Sequence, residues 1–223
     1  YQLEIINPMN KDFYLSLSVL VPALLGLPRS RLVETSYRIF IIFLWMGFLA
    51  EIANRILIGS LMNNAVSWNI YNCLEFIILM LLFREWKLWR SKEQYFFPFL
   101  IFSILIWVAD VLIIGGIKQF SPYFAIYYCF VIVMTAITHL NKLITTEKKD
   151  IMKSPQFIIC MGLTIFFTYR IFVEVSLMPV FRISNDFFHR VFDIQVYVNL
   201  LVNLIYAIAI LCLPRKKTYI SSY

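Results

Sequence analysis

The amino-acid sequence predicts an all-α polytopic integral membrane protein, a bundle of about seven transmembrane helices with its N-terminus outside and its C-terminus in the cytoplasm. Three observations carry this. Of 223 residues 61% are hydrophobic and only 15% charged, with a mean hydropathy of +0.77, whereas soluble domains are about half apolar and about a quarter charged. The apolar excess divides into seven runs, 13–27, 39–58, 66–83, 95–114, 122–141, 156–177 and 191–213, most near the ~20 helical residues that cross a bilayer. The connections between them alternate in charge. Fourteen Lys and Arg residues follow odd-numbered runs and five (Lys11, Arg55, Lys118, Arg182 and Arg190) fall toward the opposite side, so the positive-inside rule places the fourteen in the cytoplasm.

Taken in order, the first run is short, contains Pro22 and stops at Pro28; a proline inside a helix removes a hydrogen bond and predicts a kink. Arg29, Arg31 and Arg38 then mark the inner side. The second run climbs outward and carries Glu51, Asn54 and Arg55 in its outer half. The third descends through Asn69, Asn72 and Glu75 and ends at Arg84 to Phe97, where Trp86 and Trp89 lie among four basic residues. That mixture fits an interfacial turn, with a partner-docking surface as the sharper alternative. The fourth run bears Asp110 near its outer end. The fifth is apolar except for Thr135, Thr138 and His139 toward the inside. The sixth brings Tyr169, Arg170 and Glu174 to its outer end, and the seventh starts at His189, Arg190 and Asp193 and continues through Gln195, Asn199, Asn203 and Tyr206.

An ionisable group inside hydrocarbon costs several kcal/mol unless paired or hydrated, so each is a functional-site hypothesis. Glu51 and Arg55, and again Arg170 and Glu174, are four residues apart, close enough to neutralise one another on a helix. Asn69, Asn72 and Glu75 advance along one face, as do Asn199, Asn203 and Tyr206, while Asp193 groups with His189. Each pair taken alone reads as structural glue between helices. Five embedded carboxylates facing two embedded arginines at a common depth point further, to a hydrated pocket open to the outside. Its expected ligand-binding residues are Glu51, Arg55, Asn72, Glu75, Asp110, Arg170, Glu174, Asp193 and Asn199.

Other chemistries find no support. The net charge of +7 is a topology signal, so no nucleic acid is expected. Cys73, Cys129, Cys160 and Cys212 are neither clustered nor spaced for a metal or a disulfide framework and read as small core residues. Two histidines at opposite ends, His139 and His189, cannot share a metal, and His189 with Asp193 and Asp186 reads as an interface group. No Gly-rich phosphate loop, Gly-flanked serine or zinc-protease helix motif occurs, and no lysine in the seventh run fits a retinal Schiff base. Neither a cofactor nor a metal is expected, and the outer loop Pro179–Arg190 reads as a loop.

No connecting segment exceeds roughly 15 residues, below the size of an independent domain. The expectation is one membrane domain over 1–223, with any soluble module on another chain; no n-region followed by a small-residue cleavage site is visible in the sequence. Usage rich in Ile, Phe, Tyr, Asn and Lys suggests a bacterium, hence its inner membrane.

Seven spans with an external N-terminus resemble the architecture of seven-helix receptors and rhodopsins. Asn203-Leu204-Ile205-Tyr206 is similar to their Asn-Pro-x-x-Tyr element, without its proline, and no acidic-Arg-aromatic element ends the third span. The likeness is topological, assigns no family and transfers no residue role.

The function expected is a sensor or regulatory membrane subunit that binds a small polar ligand in the outer half and signals through a protein partner, with the lipid bilayer as its surroundings. A secondary transporter titrating Glu75 or Asp110 is the alternative, although no internal repeat is visible. An intramembrane enzyme using paired carboxylates and a structural subunit of a larger complex complete the set.

Overall fold

The computed structural model describes residues 13–61, 64–114, 116, 118–146, 151–178 and 184–214. Six helices are long and apolar enough to cross a membrane, with a shorter apolar helix before them. In chain order they are α1 (Phe13–Arg29), α2 (Thr35–Leu61), α3 (Ala65–Glu85), α4 (Phe96–Val108, prolonged by a π-helical turn Ala109–Ile114), α5 (Pro122–Thr146), α6 (Pro155–Ser176) and α7 (Asn185–Leu211). No strand occurs among the described residues. Each helix lies within a few residues of its predicted run, because hydropathy is set by the ~30 Å hydrocarbon thickness.

The first element is the one that departs. At 1.5 Å per residue α1 spans about 25 Å, and it tightens into a 3-10 turn at Leu17–Val19. Pro22, one turn later, has no N–H to offer the Ser18 carbonyl. The short helix is anchored at its inner end instead. Arg29 Nη1 donates to the carbonyls of Ile210 and Leu211 at 2.6 and 2.7 Å, satisfying groups that the end of α7 leaves without intrahelical partners.

Packing closes a ring. In spatial order α1, α2, α3, α5, α6 and α7 each pack on the next, α7 returns to α1, and α4 lies outside against α3 and α5. The outward surfaces are apolar: Ile42, Leu49 and Ile56 recur every seven residues on α2, each more than half exposed, as expected of helices that face lipid rather than water. Ile101, Phe102 and Leu105 on α4 are likewise more than half exposed.

The apolar core runs from Phe124 and Tyr128 near the outer end of α5 down to the inner end of the ring. Phe76, Leu79, Met80 and Phe83 of α3 meet Ile132 and Ala136 of α5, Ile159 and Leu163 of α6, and Ala209 and Ile210 of α7, all fully buried. Cys73, Cys129 and Cys160 are buried and Cys212 is exposed. At the turn after α3, Trp86 stacks on His139 at 4.9 Å and Trp89 packs against Phe96 and Phe99. Arg84 pairs with Glu93 at 3.1 Å and lies over the Phe97 ring at 4.7 Å. Both tryptophans are thus engaged in packing within the chain.

Candidate functional site: a polar cavity in the outer half of the ring

Along α3 the buried face changes character. Asn69, Asn72 and Glu75 occupy its outer half, Phe76, Leu79 and Phe83 its inner half, at the i, i+3, i+4 spacings that keep side chains on one stripe. On α6 the stripe Leu163, Phe167, Arg170, Glu174 makes the same change in the opposite chain direction. Two antiparallel helices with apolar inner and polar outer ends therefore face one another, and their polar ends meet.

They meet at Arg170, which is 4% exposed. Its Nη1 donates to Glu75 Oε2 at 2.6 Å and its Nη2 to Asn72 Oδ1 at 2.7 Å, while Nε lies 3.6 Å from Glu174 Oε1. Tyr71 donates to Glu75 Oε1 and Tyr128 to Glu75 Oε2, both at 2.8 Å. The guanidinium plane is enclosed by the rings of Trp68, Tyr128 and Phe166, whose centroids lie 4.8, 5.4 and 6.0 Å from its central carbon. Short, charge-assisted bonds of this kind are the strong ones.

One edge of this network forms the wall of a cavity of about 540 Å³, within the size range of small-molecule sites. Its lining comes from α1, α2, α3, α6 and α7 with Phe120 from the loop before α5. Glu51, Asn54, Glu75, Arg170, Glu174 and Asn199 contribute polar atoms, and Phe43, Trp68, Tyr71, Phe166 and Phe192 contribute rings. Glu51 and Glu75 each lie ten residues from the outer ends of α2 and α3, about 15 Å in at 1.5 Å per residue. The floor is Tyr206, set edge-on to Phe40 at 5.2 Å and to Phe43 at 6.4 Å.

Of the nine residues that the sequence nominates, Glu51, Glu75, Arg170, Glu174 and Asn199 line this cavity, and Asn72 stands directly behind it on Arg170. Asn199 also accepts from Asn203 Nδ2 at 3.3 Å, which donates to Ser18 Oγ on α1 at 2.8 Å. Arg55, Asp110 and Asp193 fall outside the lining. Arg55 sits over the Phe13 ring at 5.3 Å, and Asp193 is exposed beside His189 on the outer turns of α7. Of the outer loop, residues 179–183 lie outside the described residues, and 185–190 are the first turns of α7.

Asp110 has a different task. From the π-helical turn its Oδ2 accepts the Phe124 N–H at 2.7 Å, placing a carboxylate on the N-terminus of α5, where both the free N–H groups and the helix dipole favour it. Asn69 braces the same corner, donating to the Gln119 carbonyl at 2.8 Å and accepting from Ser121 N at 3.3 Å. Asp110→Ala is expected to lower stability by about 1–2 kcal/mol, the usual cost of a lost N-cap. Denaturant midpoints of the variant and the wild type check it.

Tyr71, Trp68 and Tyr128 are site residues that the charge-based reading passes over. One signal was there: a phenol deep in a span needs a partner for its hydroxyl, and Tyr71 lies four residues before Glu75 on the same face. Among the described residues, no group of three or more His, Cys, Asp or Glu side chains is placed to hold a metal ion. Comparison with protein-family models, curated proteins and solved structures finds no match to this chain.

Proposed function

We propose that this membrane protein is a sensor or regulatory subunit that captures a small ligand from the outer side in the ring cavity and passes a helix shift to its inner end. The observation that carries the reading is the asymmetry of the ring: a cavity with a buried polar wall outside, and a largely apolar buried core toward the inner end. A carrier needs a polar path to the other side; the buried cluster that includes Tyr206 continues toward the inner end through Phe83, Leu140, Ile210 and Leu213. Binding without passage is what such a floor favours.

A route for the signal exists in contacts that join the cavity wall to the inner face. Asn203 ties α7 to α1 through Ser18, and Arg29 ties the inner end of α1 to the last carbonyls of α7. A ligand drawing α7 toward α2 therefore loads the α1–α7 pair as a unit, and a partner at the inner face reads its displacement. The residue usage supports a bacterial cytoplasmic membrane as the setting.

The test is a thermal-unfolding screen of the protein in lipid nanodiscs against ions, amino acids, amines, nucleotides and lipids, run beside Ala50→Phe. Ala50 lines the cavity, and phenylalanine there projects a ring into it and obstructs a guest without altering any charge. A ligand at about 100 times its Kd is expected to stabilise the wild type by about 2.7 kcal/mol, to leave Ala50→Phe unchanged, and to show no counterflow into liposomes. Ligand-driven counterflow, or stabilisation that survives Ala50→Phe, defeats the proposal.

A further inference from the structure

Resting on the reading of the cavity as a ligand site, we propose that its ligand is an organic cation: a protonated amine carrying an apolar body. The first ground is charge. Glu51, Glu75 and Glu174 line the cavity with Arg170 as the single cationic side chain among the described lining residues, a formal charge of −2. In a low-dielectric setting an uncompensated charge costs several kcal/mol, and a cationic guest supplies the compensation.

The second ground is that Arg170 is not free to receive an anion. Nη1 and Nη2 are committed to Glu75 and Asn72, Nε faces Glu174, and the plane is enclosed by Trp68, Tyr128 and Phe166. A guanidinium so occupied is a structural cation. Glu174 is held loosely, at 3.6 Å, against 2.6 Å for Glu75, and Glu51 stands across the same cavity on α2.

The third ground is independent of the acids. Asn54 Oδ1, Gln195 Oε1 and Tyr206 Oη are buried without a hydrogen-bond partner in the structure, and all three residues line the cavity. Asn54 is 8% and Tyr206 4% exposed. Each of these oxygens can accept, and an ammonium only donates. An unmet buried polar atom costs about 1–3 kcal/mol, so a donor-rich guest is what these positions call for.

The cation is organic rather than metallic. Among the described residues no acidic, His or Cys trio is close enough to bind a metal. A space of about 540 Å³ is far larger than an ion, and Phe43, Tyr71, Phe120 and Phe192 line it. Aromatic faces attract ammonium groups through the ring quadrupole, and they bury the apolar remainder of such a ligand.

The experiment is calorimetric titration in nanodiscs with phenethylammonium, benzylammonium and cyclohexylammonium, set against phenylacetate, 2-phenylethanol, Na⁺ and Ca²⁺. At least one organic cation is expected to bind the wild type. The neutral and anionic isosteres should bind at least about tenfold more weakly, as should the cation to Glu51→Gln/Glu174→Gln, a tenfold loss being the least that removing a close buried partner implies. Ala50→Phe should abolish binding. Glu51→Gln alone, at a half-buried position, serves where the double variant does not fold, and the same direction of change is required of it.

If phenylacetate or phenylethanol binds as well as the amine and Ala50→Phe removes it, the cavity is a ligand site and the cation assignment is wrong. If Ca²⁺ or Na⁺ alone gives the acid-dependent signal, the ligand is inorganic and the proposal fails. Binding by no organic cation to millimolar concentration, or cation binding indifferent to Glu51 and Glu174, also overturns it. The wider ligand screen then decides the cavity reading separately.

Discussion

Arg170→Ala is expected to be among the most destabilising single substitutions in this chain, at about 3–5 kcal/mol, the range for removing one partner of a buried ion pair. The reason is asymmetry. The guanidinium satisfies Glu75 at 2.6 Å and Asn72 at 2.7 Å and stands beside Glu174, so its loss strands two carboxylates whose residues are 1% and 3% exposed. The intact network contributes far less than this cost suggests, because bringing all its charges out of water is itself unfavourable. Arg170→Met combined with Glu75→Gln is therefore expected to recover at least half of the loss. Arg170→Lys should fall between, keeping the charge but losing the fork that reaches Glu75 and Asn72 at once. Denaturant unfolding of the four proteins measures this directly, and a loss below about 1 kcal/mol for Arg170→Ala would mean that the carboxylates are relieved by water.

Gly162→Ala is expected to destabilise by about 1–3 kcal/mol, the range for overpacking a filled core, although alanine is the better helix former by about 1 kcal/mol. A Cβ at position 162 would stand 2.5 Å from Tyr206 Cε1 and 3.1 Å from Cδ1. The ring cannot step aside at no cost, because Phe40 and Phe43 press on it from α2. Its open side is the cavity, so the strain should be relieved upward, raising the floor and weakening the proposed ligand binding together with stability. Tyr206→Leu should rescue the glycine variant, with a coupling of about 1 kcal/mol or more in the four-member cycle. Full additivity of the two substitutions would show that the ring and the helix backbone do not meet.

Fold class was legible because the bilayer imposes a simple length rule. Runs of apolar residues near 20 long and a loop charge bias are local properties, and the helices follow them. The depth of Glu51, Glu75, Arg170 and Glu174 was legible for the same reason, since distance along a helix is distance through the membrane. The spacing of Asn69, Asn72 and Glu75 likewise announced a common face.

Neighbourhood was not legible. The intrahelical arithmetic nominated Glu51 with Arg55 and Arg170 with Glu174, whereas the shortest bonds of Arg170 cross from α6 to α3. Asp110 reads in sequence like any other embedded carboxylate, and only the approach of the π-helical turn to the start of α5 makes it a cap. Tyr128 carries no charge to mark it, yet it completes the Glu75 cluster. Helical periodicity specifies the direction in which a side chain leaves its own axis and nothing about which axis stands opposite. In a membrane that gap is wider, because lipid-facing and core-facing surfaces are equally apolar. The sequence by itself thus determined that this is a helical membrane bundle with polar groups in its outer half. Only the tertiary structure decided that α4 stands outside the ring, that α3 faces α6, and that three of five embedded carboxylates share one cavity with one arginine, since those facts depend on long-range packing that no local pattern encodes.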